Sequence, residues 1–211
     1  MTAPPTRVLV APQRWERWTD NFHARHGATV LSLADGALCG LAEDGSTFLA
    51  RLPFAASYDG PAEPGAFAAA ASLPQDWGVL LVRKGGFAVA RLAGERTVAS
   101  KVGQRHVQGR TKAGGQSQQR FARRRDNQAR QAYEAAAEHA ARILGDLAGP
   151  VVTGGDRTAV EEVLADPRLR ALEPSGPWLP VPDPRRTVLE DAVRDAGKLL
   201  VDVHNADPGE G

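Results

Sequence analysis

The 211-residue chain has a single cysteine, Cys39, so an internal disulfide is impossible. Cys39 lies in an apolar stretch between Leu38 and Leu41 and reads as a small core residue. The five histidines, His23, His26, His106, His139 and His204, are scattered and form no metal-ligand spacing with Cys39, which argues against a zinc site. No apolar run approaches the roughly 18 residues of a membrane span. The N-terminus lacks the charged-then-apolar layout of a secretion signal. A cytoplasmic protein away from membranes is expected. No glycine-lysine phosphate loop is present. Gly115-Gln116-Ser117-Gln118-Gln119 lacks the second glycine of a nucleophile elbow, which excludes that type of serine hydrolase. No motif calls for a metal or an organic cofactor. With no internal repeat and no coiled-coil seam, a monomer is expected, with one domain over residues 1–204 and a disordered tail over 205–211.

Charge is present but unevenly placed. Residues 101–130 hold nine of the 26 Lys and Arg (Lys101, Arg105, Arg110, Lys112, Arg120, Arg123, Arg124, Arg125 and Arg130) against one acid, Asp126. This window carries about +8 and the remainder about −7, so a near-neutral total hides a basic patch on an acidic body. Patches of this kind meet polyanions, RNA foremost.

Residues 7–11 read as a strand and 12–26 as a helix with Trp15, Trp18 and Phe22 on one face. Strands over 28–32, 37–41 and 47–52 are separated by Asp35-Gly36 and Asp44-Gly45 turns. Residues 55–76 read as a surface loop or a poorly formed helix. Strands over 77–83, 87–92 and 96–102 form a meander with turns at Gly85-Gly86 and Gly94-Glu95. The continuous apolar run of Val79, Leu80, Leu81 and Val82 predicts a strand covered on both faces. Residues 103–119, with Val107 and Ala113 their only apolar side chains, are expected to form a long mobile loop.

A long helix follows, starting between 118 and 121 and stopping at Gly145 or Gly149. Its stripe is Ala129, Ala132, Tyr133, Ala136, Ala140, Ile143, Leu144 and Leu147. Residues 151–153 form a strand, and Gly154-Gly155-Asp156 leads into a helix over 157–165 with Asp156 as N-cap. That junction is either an anion site at its amides or a tight structural turn. Asp183 and Pro184 open the last helix, whose stripe of Val188, Leu189, Ala192, Val193, Ala196, Leu199, Leu200 and Val203 carries it to the end. The fold class is α/β, bordering on α+β, with a mixed sheet and flanking helices.

The chemistry concentrates at Gly114-Gly115-Gln116. Two glycines let the backbone take conformations other residues avoid and approach a crowded site closely. A glutamine there offers its backbone N–H, an amide donor and an amide acceptor, with no charge to desolvate. That set suits orienting a water against an ester and donating to the oxyanion that forms. It does not suit general-base catalysis, since an amide accepts no proton usefully near neutral pH.

The run Arg110-Thr-Lys-Ala-Gly-Gly-Gln-Ser117, leading into a basic helix, resembles the catalytic middle domain of eukaryotic and archaeal class I peptide-release factors. It is closer still to the release-factor-like peptidyl-tRNA hydrolases of ribosome quality control, the VLRF-type family, which has a stand-alone actinobacterial branch. In that family a basic strand leads into a Lys-x-Gly-Gly-(Ser)-Gln loop, then an arginine-rich helix start with an Asn, a short strand and a Gly-containing turn. Residues 105–116, 123–127 and 151–156 correspond, and the resemblance spans roughly 77–172. It implies an RNase H-like sheet without nuclease carboxylates, and hydrolysis of the ester between a nascent peptide and tRNA on stalled large ribosomal subunits. The catalytic glutamine falls on Gln116, flanked by Gly114 and Gly115. Arg105, Arg110, Lys112, Arg120, Arg123, Arg124, Arg125 and Arg130 would hold ribosomal or transfer RNA. The loop is shorter than in eukaryotic members, Gln118 and Gln119 lie nearby, and no decoding domain is present, so stop codons should not be read. The competing reading is a non-catalytic basic module that binds RNA or the ribosome through the same loop. A nuclease would need acids clustered on the strands.

Overall fold

A computed structural model of the chain describes residues 4–104 and 115–206, with 115–129 described as backbone. Along the chain the elements are β1 (Thr6–Val10), α1 (Trp15–His26), β2 (Thr29–Ala34), β3 (Ala37–Ala42), β4 (Thr47–Arg51), α2 (Pro64–Ala70) and β5 (Trp77–Arg83). They continue as β6 (Gly86–Ala93), β7 (Arg96–Gln104), α3 (Gly115–Leu144), β8 (Val151–Gly155), α4 (Arg157–Leu164), α5 (Arg186–Ala196) and β9 (Leu199–His204). The class is α/β, as expected. The strands are shared between two sheets, and the chain divides into two compact units, residues 1–73 with 194–211 and residues 74–193.

The first unit is an antiparallel sheet in the order β1-β9-β4-β3-β2. Its core is aromatic. Trp15, Trp18 and Phe22 recur at three and four residues and stack along one side of α1, centroids 5.1 and 5.6 Å apart. Phe48 of β4 meets all three edge-on at 5.6, 5.2 and 5.1 Å, the geometry ring quadrupoles favour. Gly40 is paired with Phe48 across β3 and β4, and a Cβ there would run into the Phe48 ring, so only glycine leaves it room. The Trp15 indole N–H is buried without a partner among the described residues, a cost of about 1–3 kcal/mol that the surrounding aromatic packing offsets. The Asp35-Gly36 turn forms as expected, with both residues at positive φ (50° and 73°) between Ala34 and Ala37. Cys39 is half-buried.

The C-terminal stripe splits where one helix was expected. The helix begins at Arg186 rather than Pro184 and ends at Ala196, and 199–204 forms the strand β9, between β1 and β4. Gly197 interrupts the helix, and Leu-Leu-Val-Asp-Val-His suits a strand whose two edges both find partners. Leu199, Leu200 and Val203 fit helical spacing only by coincidence. Asp202 of β9 accepts hydrogen bonds from Arg7 Nε at 2.8 Å and Arg51 at 2.7 Å. Beyond the strand, the Ala206 N–H donates to Ser46 Oγ at 2.9 Å, and residues 207–211 lie outside the described residues.

The second unit is a mixed sheet in the order β7-β6-β5-β8, with β5 and β8 parallel and the other pairs antiparallel. β5 lies between β6 and β8 and is buried from Trp77 to Val82, which explains its unbroken apolar run. The Trp77 indole donates to the Gly94 carbonyl at 2.8 Å. The β5–β6 turn is Lys84-Gly85, one residue earlier than expected. Over the sheet, α3 buries Ala132, Tyr133, Ala136, Ala137, Ala140 and Leu144. Its small residues permit a close approach, and Gly78 of β5 leaves the space that Leu144 fills.

Candidate functional site

β5, β7 and β8 run in the same direction, so their C-terminal ends form one edge of the mixed sheet. Register aligns Gly155, Val82, Phe87 and Gly103 across it, then Arg83, Gly86 and Gln104. Gly103 faces Phe87, and a Cβ on it would enter the Phe87 ring, which itself stacks on His139 of α3 at 5.4 Å. β7 ends at Gln104, and the next described residue, Gly115, is the first of α3.

A strap crosses this edge. The Leu179 N–H donates to Thr153 O (3.0 Å) and Leu179 O accepts from the Gly155 N–H (2.9 Å). Arg83 donates to the Val181 carbonyl at 2.7 Å and lies 3.9 Å from the Asp183 carboxylate. The Gln104 side-chain amide then reaches the Pro184 carbonyl at 3.5 Å. Residues 179–184 therefore run from β8 past β5 to the last residue of β7, although about 80 residues separate Gln104 from Pro184 in sequence.

At the β8–α4 junction the tight-turn reading holds and the anion reading does not. Gly155 has φ 102°, and a Cβ on it would meet the Val82 carbonyl. The Gly155 and Asp156 N–H groups donate to Leu179 and Val82, and the Asp156 carboxylate caps α4 by accepting from the Ala159 N–H at 3.3 Å. Those amides are committed and a carboxylate already stands at the helix start. Beside it, burial pushes the Tyr133 phenol above its ordinary pKa, with the charges of Asp156 and Glu162 adding to the shift. The Arg157 guanidinium covers the Trp178 ring at 4.4 Å.

The opposite end of α3 is clamped. Arg91 of β6 donates to both oxygens of Asp76 at 2.9 Å and to Asp146, just beyond α3, at 2.6 Å. The Arg91 guanidinium holds the Asp76 carboxyl below its ordinary value. No Asp or Glu lies on β5, β6, β7 or β8, so the strands lack the carboxylates a nuclease would need.

Gly115 and Gln116 occupy the first turn of α3, not a loop reaching 119. Gln116, Gln118, Gln119 and Arg120 are good helix formers, and one glycine at the end costs only about 1 kcal/mol, so the helix extends back through them. Arg120, Arg123, Arg124 and Arg125 are also on α3, and Arg130 is exposed on it. Gly114, Arg105, Arg110 and Lys112 lie outside the described residues. What sequence reasoning missed is the strap and the residues it brings to Gln104, because no local pattern encodes a contact across so long a separation.

The family model described as Actinobacteria/chloroflexi VLRF1 release factor matches residues 75–202, well over half of the chain. No curated protein matches it.

Proposed function

Because the chain belongs to the Actinobacteria/chloroflexi VLRF1 release-factor family, with a release-factor-like, ribosome-associated role in translation, we propose that it is a peptidyl-tRNA hydrolase acting on stalled large ribosomal subunits. The observation that carries this reading is a helix, α3, that opens with Gly115-Gln116 and carries Arg120, Arg123, Arg124 and Arg125, within the span matched by the release-factor family. In the reaction, the oxygen of a water attacks the ester carbonyl carbon. The bond to the terminal ribose oxygen of tRNA breaks, and a proton from the water ends on that ribose hydroxyl. Gln116 orients the water through its side-chain amide, while its backbone N–H donates to the oxyanion. Gly114 and Gly115 keep the approach clear of side chains. A proton acceptor other than Gln116 is required, because the amide cannot serve as one.

Arg105, Arg110, Lys112, Arg120, Arg123, Arg124, Arg125 and Arg130 anchor the segment on RNA phosphates. Their charge sets affinity and orientation rather than chemistry. The protein acts in the cytoplasm as a monomer, with ribosomal RNA and peptidyl-tRNA as partners.

The test is release of labelled peptide from peptidyl-tRNA on isolated large subunits, with wild type and Gln116→Ala side by side. Loss of the water-positioning side-chain amide, with the backbone N–H retained, should slow release by about 10²-fold, with subunit binding changed less than about twofold. Unchanged release by the variant removes Gln116 from the mechanism. No release by either protein, with salt-sensitive binding by both, leaves the non-catalytic RNA-binding module.

A further inference from the structure

The first unit leaves one sheet edge open. The outer strands are β1 and β2 in its sheet, and β7 and β8 in the mixed sheet. β7 carries Arg96 and Lys101 and its register against β6 is broken by a bulge, while β8 is covered by bridges from Pro174 and Leu179. β1 carries Arg7 and follows Pro4 and Pro5. Charge, proline, bulges and cover are the means by which edges avoid further pairing. β2, Thr29-Val-Leu-Ser-Leu-Ala34, has none of them. The tight Asp35-Gly36 turn makes Ala34 and Ala37 the hydrogen-bonded closing pair, so alternation points the N–H and C=O groups of Thr29, Leu31 and Leu33 away from β3. The Ala42 N–H, opposite Thr29, accordingly donates to Ser46 and not to β2. Among the described residues those outward groups meet no backbone partner. Side chains agree with this. Val30, Leu41 and Leu33 are 71, 56 and 38% exposed, and of the large hydrophobics exposed among the described residues only Val98 lies off β2 and β3.

We propose that β2 docks the β2 strand of a second copy of this chain, the two running antiparallel about Leu31. In that register Leu31 pairs with itself and Thr29 with Leu33, each pair exchanging both of its backbone hydrogen bonds, so every outward group of the edge finds its match. The strand is complementary to itself, as a two-fold interface requires. An uncharged strand also suits an uncharged strand, because neither brings a charge that pairing would strip of water. Val30 lies opposite Ser32 of the second copy in the closer, non-hydrogen-bonded pairs, and the Val30–Leu41 patches of the two copies join on one face. At each end Asp35 comes level with Gly27 of the second copy. There Glu43 and Asp44 are accompanied by Arg25 and His26, so the charges are mixed and no wall of one sign opposes the contact. The two sheets become one continuous sheet. A single strand pair is a small interface, so the association is weak. It is a state of the free protein, and dilution returns the monomer that acts on the ribosome. The inference goes beyond the hydrolase reading and does not depend on it.

The experiment is sedimentation of the whole protein over about 1–300 μM, the range suited to a small interface, with amide hydrogen exchange at the same concentrations. The wild-type mass should rise with concentration from that of one chain, 22.4 kDa, toward that of two, and the amides of Thr29, Leu31 and Leu33 should gain protection in step. Val30→Lys/Ser32→Lys sets like charges opposite each other in both non-hydrogen-bonded pairs and should weaken association about tenfold or more. Val30→Lys/Ser32→Glu sets opposite charges in the same places and should restore association to within about threefold of wild type. Both positions are exposed, so the two variants should keep the wild-type thermal midpoint when dilute. A wild type that stays a single chain at every concentration overturns the proposal and leaves the edge to a strand of another protein. Association without added protection on β2, association indifferent to the paired lysines, or equal loss in both variants overturns it as well. A pair that forms as described in a protein that releases no peptide defeats the hydrolase reading and leaves the β2 contact standing.

Discussion

Replacing Asp202 with asparagine tests whether the pairing of β9 with both its neighbours rests partly on charge. Asp202 is 8% exposed, at the middle of β9, with Arg7 opposite on β1 and Leu49 opposite on β4. Its carboxylate accepts from Arg7 at 2.8 and 3.4 Å and from Arg51 at 2.7 Å. A fully buried charged hydrogen bond is worth about 1.5–3 kcal/mol. The two guanidinium side chains are 59% and 42% exposed, so water already solvates them, and each interaction is discounted to about 0.5–1 kcal/mol.

Asparagine keeps the shape but loses the charge and turns an N–H₂ toward one guanidinium, for a loss of about 1–2 kcal/mol at neutral pH. In a chain of this size that is a fall of about 2–8 °C in thermal midpoint. The hydrogen bond from Arg7, then that from Arg51, hold the Asp202 carboxyl below its ordinary value. Its contribution is therefore complete above the unfolded-state value of about 3.9 and is lost as pH falls through the lower folded value. Urea midpoints of wild type and Asp202→Asn should differ near pH 7 and converge as acid protonates the folded-state carboxyl. A deficit as large in acid as at neutral pH, or none at neutral pH, refutes the reasoning.

Two further substitutions test the mixed sheet, alongside the Gln116 variant described above. Arg91→Leu should destabilise by about 1–2 kcal/mol, discounted because Asp146 is largely exposed; hydrogen exchange should locate the loosening at the C-terminal end of α3, and uniform protection would sink the clamp. Gly103→Val forces the Phe87 ring off His139 and should cost about 1–3 kcal/mol in denaturant unfolding; a variant as stable as wild type would mean the ring has room to move.

Much of the local structure was legible because it is encoded locally. The continuous apolar run at Val79–Val82 identified a strand buried on both faces, and Asp35-Gly36 marked a hairpin turn that needs two residues at positive φ. The aromatic face of α1 followed from helical spacing alone. Gly114-Gly115-Gln116 and the basic window pointed to chemistry beside RNA without any structure. The start of α3 was less legible, since glycine argues for a loop while the glutamines and arginines after it argue for helix, and the helix prevails from Gly115 onward.

The sequence by itself determined the α/β class, the apolar stripes, the turns and the charge-skewed segment, because periodicity, turn chemistry and net charge act over a few residues. Only the tertiary structure decided that 199–204 is a strand, since Leu199, Leu200 and Val203 satisfy helical and extended patterns alike and the choice falls to partners on β1 and β4. It likewise decided that Pro184 stands beside Gln104, a contact of the Gln104 side-chain amide with a backbone carbonyl about 80 residues away that no local pattern announces.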